Sequence, residues 1–205
     1  AKELGVTRAW CGNLGAIDMA RNAGLSPVGG YSLNITNSAA VQEYAALGLT
    51  DTELSFELPV TRARSLGGFL PQGILAYGYL PLMALRNCPI KAAIGCGKCR
   101  GYESLTDRKG VGFPVLPAWG CRNEIFNGNK LFLADRARDY KQAGLWAIRL
   151  QFTTENPLEC VQVLERYQGQ GNYTPNNYTR GLYYRMWSDL RPSGRPDRPG
   201  QGGTT

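Results

Sequence analysis

The sequence predicts an α/β fold of parallel strands joined by helices, and three observations carry that expectation. Short segments with alternating side chains are followed by segments with helical spacing; the helix-like segments close on glycine at Gly24, Gly48, Gly67-Gly68 and Gly144; and residues 72–85 form a long apolar run suited to a buried strand. Such units in series make a closed (β/α) barrel or an open doubly wound sheet. About five strands can be counted where a closed barrel takes about eight. The expectation is therefore a barrel lacking its first strands, through residues missing at the N-terminal end, or else an open sheet.

The elements follow in order. Residues 7–10 read as a strand and 14–23 as a helix ended by Gly24. Residues 28–35 alternate as a strand, Asn37-Ser38 offers a helix N-cap, and 39–47 is helical up to Gly48. A third unit places a strand over 53–58 and a helix over 60–66, and the apolar run 72–85 supplies the next strand. A cysteine-rich insertion spans about residues 86–127. Beyond it come a helix over 136–143, a strand over 146–152, and a helix that starts at Pro157 and runs to Tyr167. One domain over 1–187 is expected, followed by a disordered Pro/Gly/Arg tail over 188–205.

Composition limits the chemistry. None of the 205 residues is histidine, which removes Ser-His-Asp and Cys-His pairs and any His-ligated zinc. With 43% hydrophobic residues the chain can bury a core, and no apolar run reaches the length of a membrane span. Residues 1–5 lack the features of a signal peptide, so a cytoplasmic protein with reduced thiols is expected. The net charge of +7 favours a polyanionic partner. Its excess gathers at Arg86, Lys91, Lys98, Arg100, Arg108 and Lys109, against Glu103 and Asp107. That reads either as a charged loop beside a metal site or as a phosphate-contacting surface.

Cys88, Cys96, Cys99 and Cys121 follow the spacing C-x7-C-x2-C-x21-C, and Gly95 and Gly97 let the Cys96–Cys99 loop turn its sulfurs to one side. Four soft thiolates suit an iron-sulfur cluster or a structural zinc, and the spacing does not choose between them. Cys11 and Cys160 read as small buried hydrophobes, with Cys160 held as a substitute ligand.

Barrel chemistry collects at the C-terminal ends of strands, which here points to Asn34, Asn37, Glu57, residues 77–83, Arg149 and Glu155. Glu57 is the leading carboxylate, its pKa raised by apolar neighbours unless it pairs with Arg62 or Arg64. Arg149 either binds a substrate carboxylate bidentately or pairs with Glu155, and Glu155 otherwise belongs to the helix entry. Tyr183, Tyr184 and Trp187 with Arg180 and Arg185 suit either base stacking or packing on the barrel exterior.

Several motifs occur in an order similar to that of one known family. Gly78-Tyr79-Leu80-Pro81-Leu82-Met83, Asn87-Cys88-Pro89-Ile90, Leu105-Thr106-Asp107-Arg108-Lys109-Gly110, Phe113-Pro114-Val115 and Cys121-Arg122-Asn123 resemble the collagenase-like peptidase family, U-32. Leu33-Asn34-Ile35-Thr36-Asn37-Ser38, Ser55-Phe56-Glu57-Leu58 (with Phe where the family has Pro) and Thr179-Arg180-Gly181-Leu182-Tyr183-Tyr184-Arg185 resemble its flanking motifs. The resemblance spans about residues 1–187 and implies a TIM-like barrel whose first three strands are absent here, to be supplied by a parent chain or a partner. It also implies an iron-sulfur cluster, of the 4Fe-4S type, held by Cys88, Cys121 and one or both of Cys96 and Cys99. Some branches take a ligand from near Pro81 or Leu82, where this sequence has none, so the Cys96–Cys99 pair would supply two. The family carries a peptidase label, but its better-understood branches resemble oxygen-independent hydroxylases acting on transfer RNA, ribosomal RNA or a quinone precursor, some with a prephenate-like oxygen donor. Three expectations follow: an iron-sulfur-dependent hydroxylase, a collagenase-like peptidase, and a non-catalytic zinc-stabilised binding module. No membrane partner is expected.

Overall fold

The computed structural model describes residues 2–118, 120 and 122–184. Five strands run parallel in chain order: β1 (Arg8–Cys11), β2 (Ser26–Gly29), β3 (Asp51–Glu53), β4 (Gln72–Leu85) and β8 (Ala147–Leu150). They form a curled half-barrel sheet, compatible with a partial barrel. Among the described residues, β1 and β8 are each paired along one edge only. The count of five parallel strands holds, but three are shorter than expected, β8 covering four residues of the 146–152 run. β2 stops at Gly29 because the chain turns through a 3-10 helix, Tyr31–Leu33, into a left-handed Asn34 (φ 53°, ψ 45°). β3 stops at Glu53, and the expected strand over 53–58 continues instead as a turn.

Three helices begin where asparagine supplies the acceptor that the first turn lacks. Asn13 caps α1 (Leu14–Asn22) by accepting from Ala16 N at 2.9 Å, and Asn37 caps α2 (Ser38–Ala46) by accepting from Ala40 N at 2.9 Å. Asn156 does the same for α6 (Pro157–Tyr167), accepting from Glu159 N at 2.9 Å beside a proline in the first turn. Removing one such acceptor, as in Asn37→Ala, is expected to cost about 1 kcal/mol. A thermal melt checks this, with a drop of about 2–4 °C expected.

One face of the sheet carries the core. Ile17 and Ala20 of α1, Val41 of α2, Val60 and Ala63 of α3 (Val60–Ala63), and Tyr140 of α5 (Ala137–Gln142) pack with Cys11, Ile74 and Ala76. Cys11 is 1% exposed, and burial pushes its thiol pKa up, in line with the hydrophobic role expected of it. Tyr183 belongs to this core as well, 1% exposed with its hydroxyl donating to Leu75 O at 2.8 Å.

Residues 86–127, read from sequence as an insertion, are not a loop. After α4 (Pro89–Ile94), strands β5 (Glu103–Thr106), β6 (Gly112–Ala118) and β7 (Arg122–Phe132) form an antiparallel meander, and β7 pairs with the C-terminal half of β4. β4 thus pairs along one edge with β3 at Gln72 and Gly73, and with β7 from Tyr77 onward. A two-residue strand, β9 (Tyr178–Thr179), lies alongside β7 at Lys130 and Leu131. No helix among the described residues is long and apolar enough to cross a membrane.

Candidate functional site

Strand geometry sends alternate side chains to opposite faces. Since Cys11 faces α1, its Sγ donating to Ala16 O, its neighbour Trp10 turns to the face the helices leave uncovered. There Trp10 meets Glu53 and Arg149, which lie on different strands. Arg149 pairs with Glu53, and its guanidinium stands 5.0 Å from the centre of the Trp10 ring. Glu53 also accepts from Trp10 Nε1 at 3.3 Å and from Tyr31 N at 3.2 Å. A second set repeats this arrangement one step along the strands: Arg8 pairs with Asp51 and stands 6.0 Å from the Trp146 ring. A cleft of ≈ 290 Å³ is lined by Asp51 and Trp146 of one set and Glu53 and Arg149 of the other. Trp10 and Trp146 remain 44% and 55% exposed.

At the mouth of this face the rings of Trp10, Tyr31 and Phe56 follow one another at centroid separations of 5.8 and 5.6 Å. Burial, with Glu124 and Glu53 nearby, pushes the Tyr31 phenol up. Gln151 hydrogen-bonds Tyr31 and also donates to Tyr79 O at 3.4 Å, tying this mouth to β4.

Beyond Gln151 lies a buried ionic network. Lys130 Nζ of β7 is 2.9 Å from Glu155 Oε1 and 2.8 Å from Glu159 Oε1, with 11% of its side chain exposed and none of that of Glu155. Tyr77 donates to Glu155 Oε1 at 3.1 Å, and Tyr173 donates to Glu159 Oε1 at 2.6 Å. Burial would lower the Lys130 pKa, but hydrogen bonds to Glu159 and Glu155 and their charge outweigh it and hold the ammonium above its ordinary range. Burial would likewise raise Glu155, yet Lys130 and the Thr153 N–H, 2.6 Å from Oε2, hold its carboxyl below the ordinary range. Glu159 is also held low, by Lys130 and Tyr173.

The cysteine segment follows β4. Cys88 caps α4, its Sγ accepting from Lys91 N at 3.3 Å. That bond, together with hydrogen bonds from Asn123 and the Ile90 backbone, holds its thiol below the ordinary range. Cys96 and Cys99 are exposed on a 3-10 turn, Cys96–Lys98, and both are free thiols like Cys88. Cys121 lies outside the described residues. Among the described residues, no three His, Cys, Asp or Glu side chains form a group able to hold a metal ion. Cys160 sits on α6 as a half-buried free thiol.

The residues expected from sequence therefore fall in separate settings. Asn34, Asn37 and Glu57 line one cleft of ≈ 670 Å³ with Arg62. Glu57 is exposed in the turn after β3 rather than ending a strand among apolar neighbours, and no ion pair joins it to Arg62 or Arg64. Arg149 does not pair with Glu155: it takes Glu53, and Glu155 takes Lys130, because β8 lies beside β4 on one edge while β7 reaches it from the other. Of the aromatic and basic group near 180, Tyr183 is core, Tyr184 donates to Asp139 Oδ2 at 2.8 Å, and Arg180 grips Asp135 with both Nη atoms. The group is thus divided between the core and the surface; Arg185 and Trp187 lie outside the described residues, as does the tail expected over 188–205. Glu53 and Lys130 were not singled out by sequence reasoning. The signals that could have found the network are two glutamates, Glu155 and Glu159, flanking the start of one helix, and a lone lysine before Leu131-Phe132-Leu133.

No family model, curated protein or solved structure matches this chain.

Proposed function

We propose that this chain is the cysteine-bearing part of an iron-sulfur-dependent, oxygen-independent hydroxylase that acts on an RNA base or a related planar small molecule, within the TIM-like barrel that its motifs resemble. The observation that carries the reading is Cys88. Its thiol pKa is held below the ordinary range by the Lys91 N–H, with Asn123 and the Ile90 N–H beside it, and two exposed free thiols follow within the same short segment. This donor chemistry fits the group, although the described cysteines do not by themselves make a converged ligand set. Cys88, Cys96, Cys99 and Cys121 would hold the cluster, which when bound supplies one-electron redox chemistry. The chain's other residues bind and orient. Trp10 and Trp146 offer ring faces to a flat base, and Arg149 and Arg8 beside them offer cationic contacts to the phosphate or carboxylate it carries.

Anaerobic purification followed by iron, sulfide and zinc analysis tests this. About four irons and four sulfides per chain are expected, lost in Cys88→Ser. Stoichiometric zinc would move the reading to a zinc-stabilised binding module. Peptide cleavage that survives both Cys88→Ser and metal removal would move it to a collagenase-like peptidase.

A further inference from the structure

The network around Lys130 takes no part in that reading, and its charges do not balance. Glu155 and Glu159 are both held ionised against the single ammonium of Lys130, leaving two negative charges against one positive. The neighbouring hydroxyls of Tyr77, Tyr79 and Tyr173 stay neutral, their phenols pushed up mainly by burial. The surplus is not spread evenly. Glu155 is sealed in, whereas 26% of the Glu159 side chain is exposed, and it opens onto a cleft of ≈ 360 Å³. Lys130 and Glu159 are the charged residues lining that cleft; its other walls include Tyr79, Tyr173, Asn176 and Asn177.

We propose that this cleft binds a small organic ammonium ion, with the Glu159 carboxylate as its counter-charge and Tyr79, Asn176 and Asn177 around it. An ammonium brings the positive charge the network lacks, and carboxylate, amide oxygen and aromatic face are the groups that receive it. An anion is disfavoured, because Lys130 is nearly enclosed and already bonded to both carboxylates, so it presents little to the cleft. A covalent role for Lys130 as an amine nucleophile is unsuited to the site, since the same carboxylates keep its nitrogen protonated. The site does not depend on the cysteines.

Calorimetric titration of the full chain with putrescine tests the proposal, with 1,4-butanediol as a neutral analogue of the same length and acetate as the anionic control. Putrescine is expected to bind while the diol and acetate do not. Glu159→Gln, nearly the same shape, should weaken putrescine by about tenfold or more, and Tyr79→Leu by about fivefold; Cys88→Ser should leave it unchanged. Should Glu159→Gln fail to fold, the Tyr79→Leu result decides. Failure of putrescine to bind the wild-type chain, equal affinity in the variants, or preferential acetate binding overturns the proposal.

Discussion

Replacing Lys130 with methionine is expected to destabilise the fold by about 3–5 kcal/mol and to lower the melting temperature by about 6–20 °C. Methionine fits the volume, so the loss is electrostatic. Without the ammonium, Glu155, whose side chain has no exposure, and Glu159 face each other as like charges in a partly dry site. Restoring neutrality should restore the fold. Lys130→Met combined with Glu155→Gln and Glu159→Gln is expected to melt within a few degrees of the wild type, because a buried ionic group replaced as a whole costs little. The pH dependence has a definite sign. Both carboxyls are held below their ordinary range, so their contribution is present above about pH 4.3 and is lost as pH falls through their lowered values. The Lys130 contribution runs the other way: it is complete below about pH 10.4 and fades only as pH rises through its raised value. Acid melts of the wild type should therefore lose stability that the triple variant never had. A single Lys130→Met variant as stable as the wild type would show that the network is not buried as described.

Gly78→Ala is expected to cost about 2–5 kcal/mol, from a strained backbone and overpacking together. At this position φ is +114°, a region that side chains rarely enter, and an added Cβ would lie 2.1 Å from Gln151 O and 3.0 Å from Gln151 C. The obstacle is backbone, fixed by the bond from Gln151 N to Tyr77 O at 2.9 Å, so it cannot swing aside as a side chain could. The natural control is Gly68, where an added Cβ meets nothing within 4 Å. Gly68→Ala should stay within about 0.5 kcal/mol of the wild type. Urea denaturation of both variants reads the difference, and similar midpoints would remove the close approach of β4 to the segment after β8.

The order of elements was legible because local signals announce it. Asn37 before Ser38, Pro157 before Leu158, and glycines such as Gly24 (φ 67°) and Gly144 (φ 76°) mark helix ends in the sequence, and the structure uses them there. The early ends of β2 and β3 were not, because Val28 to Ile35 and Glu53 to Leu58 keep an alternating pattern through residues that turn. Asn34 adopts the left-handed conformation that an asparagine tolerates, and alternation does not report it. The meander was hidden for a different reason. Gly, Pro and charged residues across 95–117 read as loop, whereas the pairing of β7 against β4, which anchors the meander, comes from partners distant in sequence. The sites divide along the same line. Arg149 and Glu155 stood out as charged residues at strand ends, but their partners, Glu53 and Lys130, are 96 and 25 positions away, and only the folded sheet makes those choices.

The change of partner along β4 gives the molecule a seam. Its first residues are held by β3 and β8, while its last are held by the meander, and the ladder to β7 is irregular at Tyr79, Pro81 and Met83, where proline withholds an amide. A strand that is shared in this way belongs to two cooperative units. Amides at the half-barrel end are therefore expected to exchange with solvent more slowly than those at the cysteine end, a difference that amide hydrogen exchange reads directly. Two separate stabilities are thus expected at opposite ends of the same fourteen-residue strand.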